Sequence, residues 1–260
     1  MFDLVVKEGL IVTCNQKHSI IENAVMAIRK GKIEVLSHAQ CDIGKTLKAK
    51  KTISAKGKMV LPGLINMHCH ASDSLFRGLV EDLPLEEWLK RVWIAEKSIL
   101  TPHTTYLGSV LGFAENLLSG VTCVMDMFWY PHETVRAARM LGMRVSTGGL
   151  FFDFPGIGER NHEKYIEEAK EFSQRFNGTT DVFPVVMPHG TYTVGPEHLK
   201  DAKSIADANN GLFCTHAAET KAEQADIQNR YGHTVIRHMD ALDLLGKRTV
   251  LAHCVHVDEG

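Results

Sequence analysis

No apolar run in this 260-residue sequence approaches the roughly 18 residues that a bilayer span requires. Basic clusters are also missing and the net charge is only -2, so the electrostatic footprint of a nucleic-acid binder is absent. The opening MFDLVVKEGLIVTCN is no signal peptide, because Asp3, Lys7 and Glu8 interrupt any apolar stretch. There is no CxxC pair. Cys14, Cys41, Cys69, Cys123, Cys214 and Cys254 are scattered, most of them inside apolar runs where a thiol acts as a small hydrophobe. These absences predict a reduced, cytoplasmic protein without disulfides, with neither membrane nor nucleic acid as partner. They leave the oligomeric state open, a homo-oligomer included. What is present is an ordinary globular composition, 44% hydrophobic and 23% charged, with length for one large domain or two smaller ones.

Residues 1–58 read as short strands. FDLVVKEGLIVT, AVMAIRKGKIEVLS and KTISAKGKMVL carry β-formers, with turns expected at Glu8-Gly9, Lys30-Gly31 and Lys56-Gly57. They predict a small antiparallel β unit. From residue 59 the pattern changes to strands alternating with helices. The strands are MVLPGLINMH, VTCVMDMF, MRVSTGGLFF, VFPVVMPH, LFCTH and TVLAHC. Between them lie amphipathic segments such as PLEEWLKRVWIAEKSIL and NHEKYIEEAKEFSQRF, and Thr101-Pro102 has the form of an N-cap followed by N1. Regular alternation means parallel strands with helical crossovers. A (β/α)8 TIM barrel is the first candidate and a doubly wound sheet the second.

The ends of the strands carry the chemistry. The first ends in His68 and His70, which strand alternation puts on one face with Cys69 on the other. The second ends in Asp126, the fourth in His189, the fifth in His216 with Glu219 three residues on, and the sixth in His253. In a barrel these ends meet at one mouth, where imidazoles can share a metal ion. Asp126 fits a strand-end anchor or helix cap better than a site role. Cys69, Cys214 and Cys254 are expected to pack away from the mouth. His103, His132, His162, His198, His233 and His238 fall on expected helices or loops and are expected to be solvated. Trp88 suits either core packing or a flat heterocycle.

LPGLINMHCHASDSLFRGLVEDLPLEEWL, MPHGTYTVGPE, THAAET and LAHCVH together resemble the amidohydrolase superfamily. Within it they are similar to the branch of S-adenosylhomocysteine/methylthioadenosine deaminases and triazine hydrolases. The resemblance implies a metal-dependent hydrolase barrel over 59–260, preceded by part of a β-sandwich over 1–58. It implies one divalent metal, Zn2+ first and Fe2+, Ni2+ or Co2+ as alternatives, held by His68, His70 and His216. Glu219 would move a proton to the substrate ring and His253 would orient the hydrolytic water. His189, Glu86 and Trp88 would line the substrate pocket, Glu96 would bind ribose hydroxyls and Arg160 a substrate tail.

The implied reaction is hydrolytic deamination of an aminated purine or purine nucleoside, of the adenosine, methylthioadenosine or S-adenosylhomocysteine type. Water and a small heterocycle are the reaction partners. Another ring, such as guanine, a pterin or an s-triazine, is the alternative, and an inactive remnant is a second. The fourth strand contains no lysine to bridge two metals, which argues for a mononuclear site. The position of a second tail-binding arginine falls near Gly148. The aspartate that the family places after an eighth strand has no counterpart before Gly260, so the sequence reads as an incomplete barrel of about six βα units. The 260-residue chain alone is therefore expected to be poorly stable and essentially inactive, whereas the full-length protein is expected to be a deaminase.

Overall fold

The computed structural model describes residues 1–39 and 46–259, so Cys41 lies outside the described residues. The chain divides into two units, Met1–Gly63 and Leu64–Gly260.

The first unit holds β1 (Phe2–Val12), β2 (Ile20–Arg29), β3 (Lys32–His38), β4 (Ala49–Ser54) and β5 (Met59–Val60). They form one sheet in the order β3-β2-β1-β4, with β5 also on β1. Pairing is antiparallel from β1 to β2 and from β2 to β3, but β4 and β5 run parallel to β1, which corrects the expectation of an antiparallel unit. Lys30-Gly31 is the expected turn. Both residues have positive φ, 50° and 74°, as a tight two-residue hairpin of the right twist requires. Glu8-Gly9 is no turn. Glu8 has φ 67° inside β1 and the register against β2 shifts there, so the pair forms a bulge within one continuous strand.

The strand expected over 59–68 is two strands. Met59–Val60 pairs with β1, whereas β6 (Leu64–Cys69) joins a second sheet. Pro62, which has no N–H to give to a ladder, lies in the break.

The second unit is a sheet of six parallel strands: β6, β7 (Val121–Asp126), β8 (Arg144–Phe151), β9 (Val182–Pro188), β10 (Leu212–Ala217) and β11 (Thr249–His253). Their spatial order is their sequence order. A doubly wound sheet would reverse at a switch point, so the monotonic order is that of a barrel. Curvature brings the outermost strands toward each other. The rings of His68 on β6 and His253 on β11 lie 4.8 Å apart.

Seven helices are described in this unit: α1 (Leu85–Ile99), α2 (Pro102–Leu118), α3 (Pro131–Leu141), α4 (His162–Phe176), α5 (Pro196–Ala208), α6 (Lys221–Tyr231) and α7 (Val235–Ala241). Thr101 caps α2 as expected, accepting from the Thr104 N–H, while Thr104 reaches back to the Thr101 N–H. In α4 the buried residues are Tyr165, Ala169, Phe172, Ser173 and Phe176. They recur every three to four residues, so one face is buried against the sheet and the charged face stays in water.

A short 3-10 turn, Ala71–Phe76, follows β6 directly. It is held close against α2, where a Cβ on Gly108 would come within 2.6 Å of the Ser72 carbonyl. Glycine is thus what lets the helix approach the segment that follows His68 and His70. Among the described residues no helix is long and apolar enough to cross a membrane.

Candidate metal centre and active site

β6 delivers His68 and His70 to one face, as alternation requires, and β10 delivers His216 beside them. The ring centroids are 4.8 Å apart for His68–His70, 4.9 Å for His68–His216 and 5.3 Å for His70–His216. The hydrogen bonds around the rings fix their tautomers. His70 Nδ1–H donates to the Met127 carbonyl at 2.7 Å, and His216 Nδ1–H donates to the His189 carbonyl at 2.6 Å. Each ring therefore presents a lone pair on Nε2, and the two Nε2 atoms face each other at 3.3 Å. Two acceptors that close have no proton to share. A cation between them removes the conflict, and backbone carbonyls that orient metal-binding imidazoles through Nδ1 are a common arrangement.

Burial holds His70 and His216 below the ordinary imidazole range and lowers His68 to about 3, with the neighbouring histidines adding to the effect. The rings are thus kept neutral, as ligands must be. His68, His70 and His216 form the group of potential ligand atoms among the described residues, all within 4.8 Å of one another, and no carboxylate belongs to it. Three neutral imidazoles whose ligand atoms lie this close together fit a divalent metal.

His253 ends β11 with φ 74°, a left-handed conformation that costs a non-glycine residue about 1 kcal/mol or more. Its ring lies 5.1 Å from that of His216, and its Nε2 is 3.4 Å from Glu219 Oε1. Tyr192 donates its hydroxyl to Glu219 Oε2 at 3.3 Å. Burial pushes the Glu219 carboxyl up to about 6, in spite of the tyrosine hydrogen bond. A carboxylic acid near neutrality can both hold and release a proton.

These groups line one cavity of about 240 Å3, together with Trp88, Trp93, Phe152, His189, Asp73 and Glu96. Glu96 is 6% exposed and accepts from Trp129 Nε1–H at 2.9 Å. Asp73 lies against it, and its Oδ1 is buried without a partner. Burial pushes both carboxyls well above the usual range; Glu96 raises Asp73 further, whereas the hydrogen bonds from Trp129 and Asp73 hold Glu96 back. A pair raised in the folded state contributes stability that is complete below the ordinary carboxylate pKa and is lost as pH rises above it. Asp73→Asn is uncharged at every pH. Its thermal midpoint is expected to fall less than the parent's between pH 7 and pH 9, since every other titrating group is common to the two proteins. Parallel midpoint curves would contradict the proton-sharing pair.

Trp88 lines the cavity, whereas Glu86 lies in an adjoining groove beside Trp93 and Tyr192. Arg160 is outside the histidine cavity. It lines a neighbouring one that shares Phe128, Trp129 and Leu150 as a wall, and there it donates Nε–H to Glu168 at 2.9 Å and another N–H to the Ile157 carbonyl. Gly148 admits no side chain, since a Cβ would sit 2.1 Å from the Val185 carbonyl on the paired strand β9.

Asp126 is fully buried and accepts from the Ala71 N–H at 2.6 Å, anchoring the 3-10 turn as the sequence suggested. Cys214 packs in the main core and Cys69 against the second one, while the five described cysteines are free. His238 is not solvated as expected but 5% exposed, its ring stacked on Tyr231 at 4.2 Å. Trp93, Asp73 and Tyr192 are cavity residues that the sequence did not single out. Each comes from a helix or loop whose approach to the mouth is set by packing rather than by strand alternation.

Residues 59–260 match the amidohydrolase family. A 5-methylthioadenosine/S-adenosylhomocysteine deaminase of Aquifex aeolicus (strain VF5) is 37% identical over 99% of this chain and 58% of its own length. The protein of the same name from Syntrophobacter fumaroxidans is 33% identical with the same coverage. The chain therefore spans 58% of the length of these curated relatives. An adenosine deaminase from Xanthomonas campestris, solved with bound zinc, superposes with a TM-score of 0.94 at 26% identity, covering 99% of this chain and 59% of that one. An atrazine chlorohydrolase from Arthrobacter aurescens TC1, complexed with zinc, shares the fold with a TM-score of 0.88 at 20% identity, over 98% of this chain and 61% of that one.

Proposed function

We propose, for a chain that belongs to the amidohydrolase family, that the histidine cavity serves a hydrolytic deaminase of aminated purine nucleosides. The observation that carries the proposal is the pairing of two chemistries in one cavity. Two unprotonated Nε2 atoms face each other at 3.3 Å, and a carboxyl raised to about 6 lies beside His253. The deaminase relatives support the substrate class.

A divalent cation held by His68, His70 and His216 would lower the pKa of a bound water and so supply a nucleophile near neutral pH. Zinc is the ion proposed, since neutral imidazoles are common ligands for it; Fe2+, Ni2+ and Co2+ are the competitors. His253 orients the attacking water. Glu219 gives its proton to the ring nitrogen next to the carbon that bears the amino group. Water adds to that carbon, one of its protons passes to the amino group, which leaves as ammonia, and the other returns to the Glu219 carboxylate as the carbonyl forms.

His189 contacts the substrate from the end of β9. Trp88 and Trp93 offer flat apolar surface to the ring, and Glu96 accepts from ribose hydroxyls with Asp73 beside it. The Arg160 guanidinium is already engaged, and Gly148 offers nothing. Both features favour adenosine or methylthioadenosine over a substrate with a long anionic tail.

Two measurements test this reading. Ammonia release from adenosine, methylthioadenosine and S-adenosylhomocysteine by the metal-loaded protein, expressed from its full reading frame, should exceed that from guanine, a pterin or an aminated s-triazine. Preference for one of the latter rings would replace the nucleoside. Metal analysis should give one ion per chain, because β9 supplies no lysine to bridge a second. A reproducible ratio of two would contradict the mononuclear site.

A further inference from the structure

THAAETKAE contains Thr220 and Glu223 in the spacing of a capping box at the start of α6. Half of the box is made: the Glu223 N–H donates to Thr220 Oγ1 at 3.0 Å. The other half is not. In a capping box the glutamate reaches back to the N–H of the cap residue itself. Here Glu223 Oε2 accepts instead from the N–H of Glu219, one residue earlier, at 2.7 Å. Its second oxygen, Oε1, accepts from the Thr191 hydroxyl at 2.6 Å, on the loop that follows β9. The side chain is 4% exposed, so a carboxylate has been taken out of water and given two donors from two different loops. Burying it is costly, and a helix cap alone does not require it.

What the two donors share is Glu219. One is its own backbone. The other is the residue before Tyr192, whose hydroxyl donates to Glu219 Oε2. The chain also enters Glu219 from Ala218, which has φ 51°. A left-handed alanine relaxes unless its surroundings hold it. The hydrogen bond on the next N–H is such a restraint.

We infer that Glu223 is a positioning residue for Glu219, tying the β10–α6 and β9–α5 loops together so that the Glu219 carboxyl is presented to the cavity in one orientation. This rests on the reading of Glu219 as the proton carrier. Glu223 touches no substrate; its effect passes through Glu219 and Tyr192.

The test compares Glu223→Ala, Glu223→Gln and Thr191→Val in the metal-loaded protein expressed from its full reading frame, with Glu219→Gln alongside. Glu223→Ala should lower kcat by about 10- to 100-fold, the scale of a small misplacement of a reacting group. KM and metal content should stay within about two-fold, within the scatter of a site whose ligands are untouched. Glu223→Gln should recover most of the turnover. Its amide oxygen still accepts from the Glu219 N–H, and its NH2 can donate to the Thr191 hydroxyl. Thr191→Val cuts one arm of the tie and should fall between the parent and Glu223→Ala, which keeps the test decisive if alanine at 223 unfolds the chain.

Equal losses in Glu223→Gln and Glu223→Ala, or parallel changes in kcat and KM, would overturn the positioning role. So would a Thr191→Val protein with the parent's kcat. Parent-like turnover in Glu219→Gln would overturn the reading of Glu219 itself, and this inference with it.

Discussion

His216→Ala is expected to lose metal at concentrations that saturate the parent, and to lose all measurable turnover with it. His216 is one of three imidazoles in the group, and its Nε2 lies 3.3 Å from that of His70. Removing groups that merely orient a metal ligand costs about 10- to 100-fold in affinity, so removing a ligand should cost more. The fold should survive. His216 is buried at the end of β10, but the strand is held by backbone pairing to β9 and β11. Equilibrium dialysis against a chelator reads the metal, and circular dichroism reads the fold. A His216→Ala protein that keeps one tightly bound ion would move the metal centre elsewhere.

Glu219→Gln is expected to lower turnover by about 100-fold or more with metal still bound, the usual scale for a positioned acid-base group. The glutamine can still accept from Tyr192, so the packing is retained and only the proton is lost. The parent carboxyl, raised to about 6, is protonated below that value and ionised above it. Turnover that depends on delivering this proton should fall as pH rises through neutrality, and Glu219→Gln should lack that limb. Metal analysis and a pH–rate profile check both parts. Parent-like turnover in the variant would remove Glu219 from the mechanism.

Much of the site was legible because strands alternate. HCH places His68 and His70 on one face whatever surrounds them, and HAAE and HCVH put His216, Glu219 and His253 at neighbouring strand ends once the barrel order is granted. Residues supplied by helices and loops were less legible. Trp93 and Tyr192 reach the cavity because of how α1 and the β9–α5 loop pack, and no local spacing encodes that. The role of Glu223 was hidden behind an ordinary capping pattern. Arg160 falls outside the histidine cavity because Glu168 and the Ile157 carbonyl hold its guanidinium in the neighbouring one. In the fold, Pro62 splits an apolar run that periodicity reads as one strand. Glu8-Gly9 has the composition of a turn, yet the strand continues through it as a bulge, because pairing on both sides of β1 outweighs local preference.

The most direct test of hydrolytic deamination at this cavity is isotopic. The protein is expressed from its full reading frame, loaded with metal and incubated with adenosine or methylthioadenosine in 18O-labelled water, and the product is examined by mass spectrometry. The ring amino group should be replaced by a single oxygen carrying the label, with one ammonia released per label incorporated. Metal-loaded protein that leaves both nucleosides unlabelled, or that yields product without the label, would contradict hydrolytic deamination at this cavity.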